Sequence, residues 1–99
     1  MASQNVELNV NHTPVNIEHF IQQFIGNVVT SILDSLKDTD EAETAKLSIE
    51  GDTVDITVND NEIQLNAFTN DFVRNTVIGM VSSLKGVDQI DSLEISITR

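Results

Sequence analysis

The amino-acid sequence predicts an α+β fold, a two-layer sandwich of two tandem β-β-α-β units. The sheet is expected to be mainly antiparallel, with both helices on one face and an approximate internal two-fold. Three observations predict it. The chain matches itself at an offset of 48 residues. Each copy carries short stretches in which apolar and polar residues alternate, the period of a half-buried strand. Each copy also carries one longer stretch with apolar residues at helical spacing.

The repeat is the firmest of these, and repeats decide architecture before any local feature does. Residues 6–38 lie on 54–86 without a gap, and ten of the 33 pairs are identical. They include Val10/Val58, Asn11/Asn59, Phe20/Phe68, Phe24/Phe72, Asn27/Asn75 and the endings Ser35-Leu36-Lys37 and Ser83-Leu84-Lys85. With a two-residue length difference in the following loop, Leu47-Ser48-Ile49 aligns with Leu93-Glu94-Ile95. Repeat 1 runs over about residues 6–50 and repeat 2 over about 54–98, in one domain covering 1–99. No Pro/Ser-rich linker separates the copies, so they are expected to share one core.

Each unit opens with a strand, Val6–Val10 or Val54–Val58. A turn follows, Asn11-His12-Thr13-Pro14 or Asn59-Asp60-Asn61-Glu62, rich in residues that favour turns. Val15-Asn16-Ile17 and Ile63-Gln64-Leu65 then alternate again, so each pair reads as a hairpin. The first helix is expected from Phe20 to near Asp38, its apolar arc including Phe20, Phe24, Ile25, Val29 and Leu33. The second carries Phe68, Phe72, Val73, Val77 and Val81, with Asn66 as N-cap and Gly86 as the residue after its C-terminus. Ala45–Ile49 and Leu93–Thr98 close the units as strands, and Gly51 can take the positive φ of the turn joining the copies.

Strand alternation makes the sheet one-sided. Val6, Leu8, Val10, Val54, Ile56, Val58, Leu93, Ile95 and Ile97 point inward, and Glu7, Asn9, Asp55, Thr57, Glu94, Ser96 and Thr98 point away.

Composition narrows the function classes. Sixteen acidic and five basic residues give a net charge of −11. That field repels phosphate backbones and anionic lipid heads, so neither nucleic acid nor membrane is an expected partner. Cysteine is absent, which removes disulfides, thiolate metal ligands and a cysteine nucleophile. The start of the chain has neither a basic stretch nor an apolar one, and the expectation is a soluble, cytoplasmic protein.

Chemistry-bearing patterns are sparse. His12 falls in a turn and His19 at a helix start, and neither sits in a nucleophile pattern. The cluster Asp38, Asp40, Glu41 and Glu43 is the weak candidate for a cation. An EF-hand register from Asp38 puts Glu43 where glycine belongs and Ile49 where the bidentate glutamate belongs. No other metal site and no cofactor are expected.

Asn27 and Asn75 stand mid-helix, where asparagine has poor propensity. With Ser31, Ser35, Gly79 and Ser83 they form a stripe of small residues along one edge of each helix. The expected role of Asn27, Ser31, Asn75 and Gly79 is a helix–helix seam across the two-fold, in which Gly79→Leu would overpack. Ile78 lies outside the apolar arc of its helix opposite the polar Thr30, and marks a contact within or between chains.

These features point to a small non-enzymatic acidic module that binds another protein, basic in character given the charge, as a monomer or weak homo-oligomer. The alternative is a small-molecule or divalent-cation binding protein using the acidic loop or a pocket near the pseudo-two-fold.

Overall fold

The computed structural model describes residues 5–36, 44–84 and 89–98. Strands β1 (Asn5–Val10) and β2 (Thr13–Val15) precede helix α1 (His19–Ser35) and strand β3 (Thr44–Glu50). Strands β4 (Thr53–Val58) and β5 (Asn61–Ile63) precede helix α2 (Ala67–Ser82) and strand β6 (Ser92–Thr98). The fold is a two-layer α+β sandwich of one six-stranded sheet and two helices, and every strand pair is antiparallel.

The strand order is β2-β1-β6-β3-β4-β5. The last strand of each half therefore crosses over: β6 lies between β1 and β3, and β3 lies between β6 and β4. Neither half forms a contiguous sheet alone. Leu8 stands opposite Ile95, and Ile56 stands opposite Leu47. In the central pair Leu47 and Ile95 face each other. These pairings share one offset of 48 and correct the expected two-residue slip in the loop. Leu47 corresponds to Ile95 rather than to Leu93, and Ser48-Ile49 falls on the identical Ser96-Ile97.

Both hairpin turns have two residues, because Val10 pairs with Thr13 and Val58 with Asn61. Asn11, His12, Asn59 and Asp60 have φ of 52°, 67°, 49° and 67°. Positive φ at both central positions is the type I′ turn, whose twist matches that of the flanking strands. The turns are shorter than expected, so the second strands begin at Thr13 and Asn61. These strands are short and lie on the sheet edges, where Pro14 is tolerated and discourages further pairing. Gly51, with φ of 58°, begins the two-residue link between β3 and β4.

The inward strand positions are buried as alternation requires: Val6, Leu8, Val10, Ala45, Leu47, Ile49, Val54, Ile56, Val58, Leu93, Ile95 and Ile97. Ile25, Val29 and Leu33 of α1 and Val73, Val77 and Val81 of α2 complete the core. The opposite sheet face carries Glu7, Glu50, Asp55 and Glu94, with Lys46 paired to Glu94 at 3.4 Å. The Cα envelope is 18 Å in its thinnest direction, room for one sheet and one helical layer. The outer side of the helices is therefore a molecular surface.

Candidate functional site

Each helix buries one line of residues against the sheet, flanked by half-buried side chains such as Ile21 and Ile32 on α1 and Ile78 and Met80 on α2. Ile25, Val29 and Leu33 recur at four-residue spacing and are buried, as are Val73, Val77 and Val81. Phe24 is one residue from Ile25, which turns its side chain about 100° away from that line. Phe72 stands in the same relation to Val73. All four phenylalanines of the chain are consequently on the surface, with exposures of 63% (Phe20), 53% (Phe24), 74% (Phe68) and 61% (Phe72). This corrects the expectation that they belong to the inward arc. The apolar arc is wider than the sheet can cover, and the rings fall on its uncovered edge.

The rings are ordered in pairs. Phe20 and Phe24 stack with centroids 6.3 Å apart and planes at 11°. Phe68 and Phe72 lie 5.9 Å apart at 46°. Each pair borders a groove between the helices. One, of about 520 Å³, runs from Phe68 and Phe72 to Asn27, Val28, Ser31, Ile32 and Ser35. The other, of about 380 Å³, runs from Phe20 and Phe24 to Val28, Thr76, Met80 and Ser83.

Three of the hydroxyls along these grooves are turned back on their own helices. Ser35 Oγ donates to the Ser31 carbonyl at 3.0 Å, Thr76 Oγ1 to Phe72 at 2.8 Å and Ser83 Oγ to Gly79 at 3.2 Å. Such back-bonding satisfies the hydroxyl donor and leaves carbon facing outward. Charge is scarce as well. Within the two helices the charged side chains are Asp34, Asp71 and Arg74, and none of them lines either groove. A surface helix ordinarily carries its charged residues on its outer side; here the grooves are bordered by aromatic rings and carry no charge, and Asp34 and Asp71 are exposed elsewhere on the helices.

The expected helix–helix seam is not closed in this structure. Asn27, Ser31, Asn75 and Gly79 are all exposed, and a Cβ built on Gly79 meets nothing within 4 Å. Grooves lie between the helices, which do not pack through these small residues. Asn75 Oδ1 accepts from Arg74 Nη1 at 3.4 Å rather than pairing with Asn27. Ile78 is half-buried and packs against the core, so its contact is within the chain. Asp38, Asp40, Glu41 and Glu43 lie outside the described residues, as do Lys85 and Gly86.

A second constellation, missed in the sequence, fastens the turns. Asn11 Oδ1 accepts from the backbone N–H of Asp91 at 2.8 Å and of Ser92 at 3.0 Å, while its Nδ2 donates to the Gln89 carbonyl at 2.8 Å. Its backbone N–H donates to the Ser92 carbonyl at 2.8 Å. Asn59 repeats part of this on β3: Thr44 N–H donates to its Oδ1 at 3.1 Å and its own N–H to the Thr44 carbonyl at 2.9 Å. Each asparagine thus holds the start of the strand that crosses in from the other half. The Asn11/Asn59 identity was the available signal, and turn preference alone accounted for it in the sequence. In α2, Asn70 Oδ1 accepts from Val54 N–H at 2.9 Å and Arg74 Nε donates to the Gly51 carbonyl at 2.6 Å, which ties the β3–β4 link to the helix.

His12 is exposed in its turn beside a shallow polar depression of about 260 Å³ lined by Asn9, Ser48, Glu50 and Glu94. His19 begins α1 and is also exposed. Among the described residues no three His, Asp or Glu side chains converge on a point that could hold a metal ion. No helix among the described residues is long and apolar enough to cross a membrane. Comparison of the chain with protein-family models, with curated proteins and with solved structures found no match.

Proposed function

We propose that the protein is a small non-enzymatic interaction module that engages a protein partner through the outer face of its helical layer. The observation that carries this reading is the exposure of all four phenylalanines, each between 53% and 74%, on one side of the molecule. Aromatic side chains dominate the energetics of protein interfaces, and contiguous apolar surface of this kind is uncommon on a monomer without a binding role. The uncharged groove floors favour the same conclusion, since charge is depleted at interface centres.

The same reading gives the module's origin: tandem duplication of a β-β-α-β unit with an approximate internal two-fold. The single offset of 48 in strand pairing, turn geometry and asparagine clamps supports it. Because the last strands cross over, a separate unit would need a second copy to complete its sheet, which makes a fused dimer the natural ancestor.

The test is a photo-crosslinking phenylalanine analogue at position 72 in cells, with the same analogue at Thr57 on the sheet face as control. The reading expects a discrete adduct from position 72, absent from position 57 and suppressed by Phe24→Ser. No adduct of any mass from position 72 would refute it.

A further inference from the structure

We infer that the partner seated on the helical face is a second copy of this chain, docked face to face so that the helices of two molecules form one layer between two outer sheets. This rests on the reading that the helical face is an interaction surface, and it names the occupant. Three observations favour a second copy.

The first is area. The four exposures, over side chains of about 200 Å² each, leave on the order of 500 Å² of aromatic surface on one face. Burial on both members of a pair removes on the order of 1,000 Å² from water, before Val28, Ile32 and Met80 in the grooves are counted. A specific interface starts at about 1,200 Å² in total, so the rings alone fall somewhat short and the groove side chains Val28, Ile32 and Met80 must be buried with them to reach it.

The second is shape. Isologous association needs a surface that is its own complement. The face supplies both parts: ridges formed by the ring pairs, and grooves between the helices lined by Val28, Ile32 and Met80 with small residues among them. Phe20 and Phe24 on one copy can enter the groove beside Ser31 on the other, and the two-fold returns the same contact. The small-residue stripe then has a steric role between chains: Ser31 and Ser35 in one groove and Ser83 in the other leave room for the partner's rings.

The third is charge. Two chains of net charge −11 repel unless their acidic surfaces stay apart. Glu7, Glu50, Asp55 and Glu94 of the sheet lie on the far side of a slab 18 Å thick, so face-to-face docking keeps these four apart from those of the second copy, while the exposed Asp34 and Asp71 of the helices stay outside both grooves. The separation of the sheet carboxylates exceeds the screening length of about 8 Å at physiological salt. A basic partner would instead be drawn to the acidic sheet face and would find no countercharge in the helical grooves.

The test is the solution mass of the full chain by light scattering over a dilution series, for wild type, Phe24→Ser/Phe72→Ser and Ser31→Arg. Ser31→Arg keeps all four rings and changes one exposed position, so it serves if the double variant fails to fold. The expected result is twice the chain mass of 10.9 kDa for wild type and the single-chain mass for both variants, with unchanged circular dichroism. A single-chain mass for wild type at every concentration would overturn the proposal, as would a dimer that persists in a folded variant. A monomer that still gives a heterologous adduct from position 72 would leave the interaction module standing with a different occupant. A monomer with no adduct would remove both.

Discussion

Replacing Asn11 by alanine should destabilise the fold by about 2–3 kcal/mol. Two separable effects contribute. The side chain makes three hydrogen bonds, to Asp91 N–H, Ser92 N–H and the Gln89 carbonyl, at 2.8–3.0 Å. Each is worth about 0.5–1.5 kcal/mol net, and solvent access at this turn puts them at the low end. The backbone sits at φ 52°, which costs an alanine roughly 1 kcal/mol more than asparagine. Asn11→Gly isolates the first effect, because glycine accepts positive φ but supplies no side-chain bonds; it should lose about 1–2 kcal/mol. Urea unfolding with unchanged slopes should therefore order the midpoints as wild type, glycine, alanine. Against a total of about 5–15 kcal/mol for a small domain, both steps are measurable. An alanine variant as stable as wild type would mean that the clamp on β6 is not formed. An alanine variant equal to glycine would mean that the turn does not hold positive φ.

Other substitutions test separate parts of the account. Glu18 caps α1 without a side-chain bond, whereas Asn66 at the matching position accepts from Thr69 N–H at 2.8 Å, so Glu18→Asn should stabilise by about 0.5–1 kcal/mol in thermal melts. Gly79→Ala should also stabilise the single chain, by about 0.5–1 kcal/mol in dilute urea titrations, because its Cβ enters open space and alanine is the better helix former; a loss there would restore a closed seam. Ile95→Ala, at 0% exposure in the central strand pair, should cost about 2–5 kcal/mol, and a loss below 1 kcal/mol by the same titration would place the core elsewhere.

Much of this architecture is written locally in the sequence. Alternation gave each strand its inward face, and the buried residues of β1, β4 and β6 are those that the period of two selects. The helix starts, the Asn66 cap and the Gly51 turn follow from equally local chemistry, whereas both helices end earlier than the apolar spacing suggests, α1 at Ser35 rather than near Asp38 and α2 at Ser82 rather than just before Gly86. The crossing of β3 and β6 does not. Pairing β1 with β3 or with β6 buries the same side chains, so periodicity says nothing about which strand lies alongside. The loop alignment misled for a related reason: Leu-Ser-Ile resembles Leu-Glu-Ile, and only the hydrogen-bonded register distinguishes a match to Leu93 from a match to Ile95.

The candidate site was legible in its parts and misread in its orientation. The repeated rings, asparagines and small residues were all visible. Apolar residues over a wide arc suggest a helix facing one core, but the sheet buries the line through Ile25, Val29 and Leu33 with flanking residues such as Ile21 and Ile32, and the phenylalanines fall beyond it. The scarcity of charge on both helices, in a chain so acidic, was the signal that the outer side is not an ordinary solvated surface.

The most direct measurement is hydroxyl-radical footprinting of the four phenylalanines, read by mass spectrometry, in dilute and concentrated solutions of the full chain. The account predicts that Phe20, Phe24, Phe68 and Phe72 are all oxidised when dilute and protected together as concentration rises, while Met80 follows them. Rings oxidised equally at every concentration, or already protected in a sample whose mass is that of one chain, would contradict it.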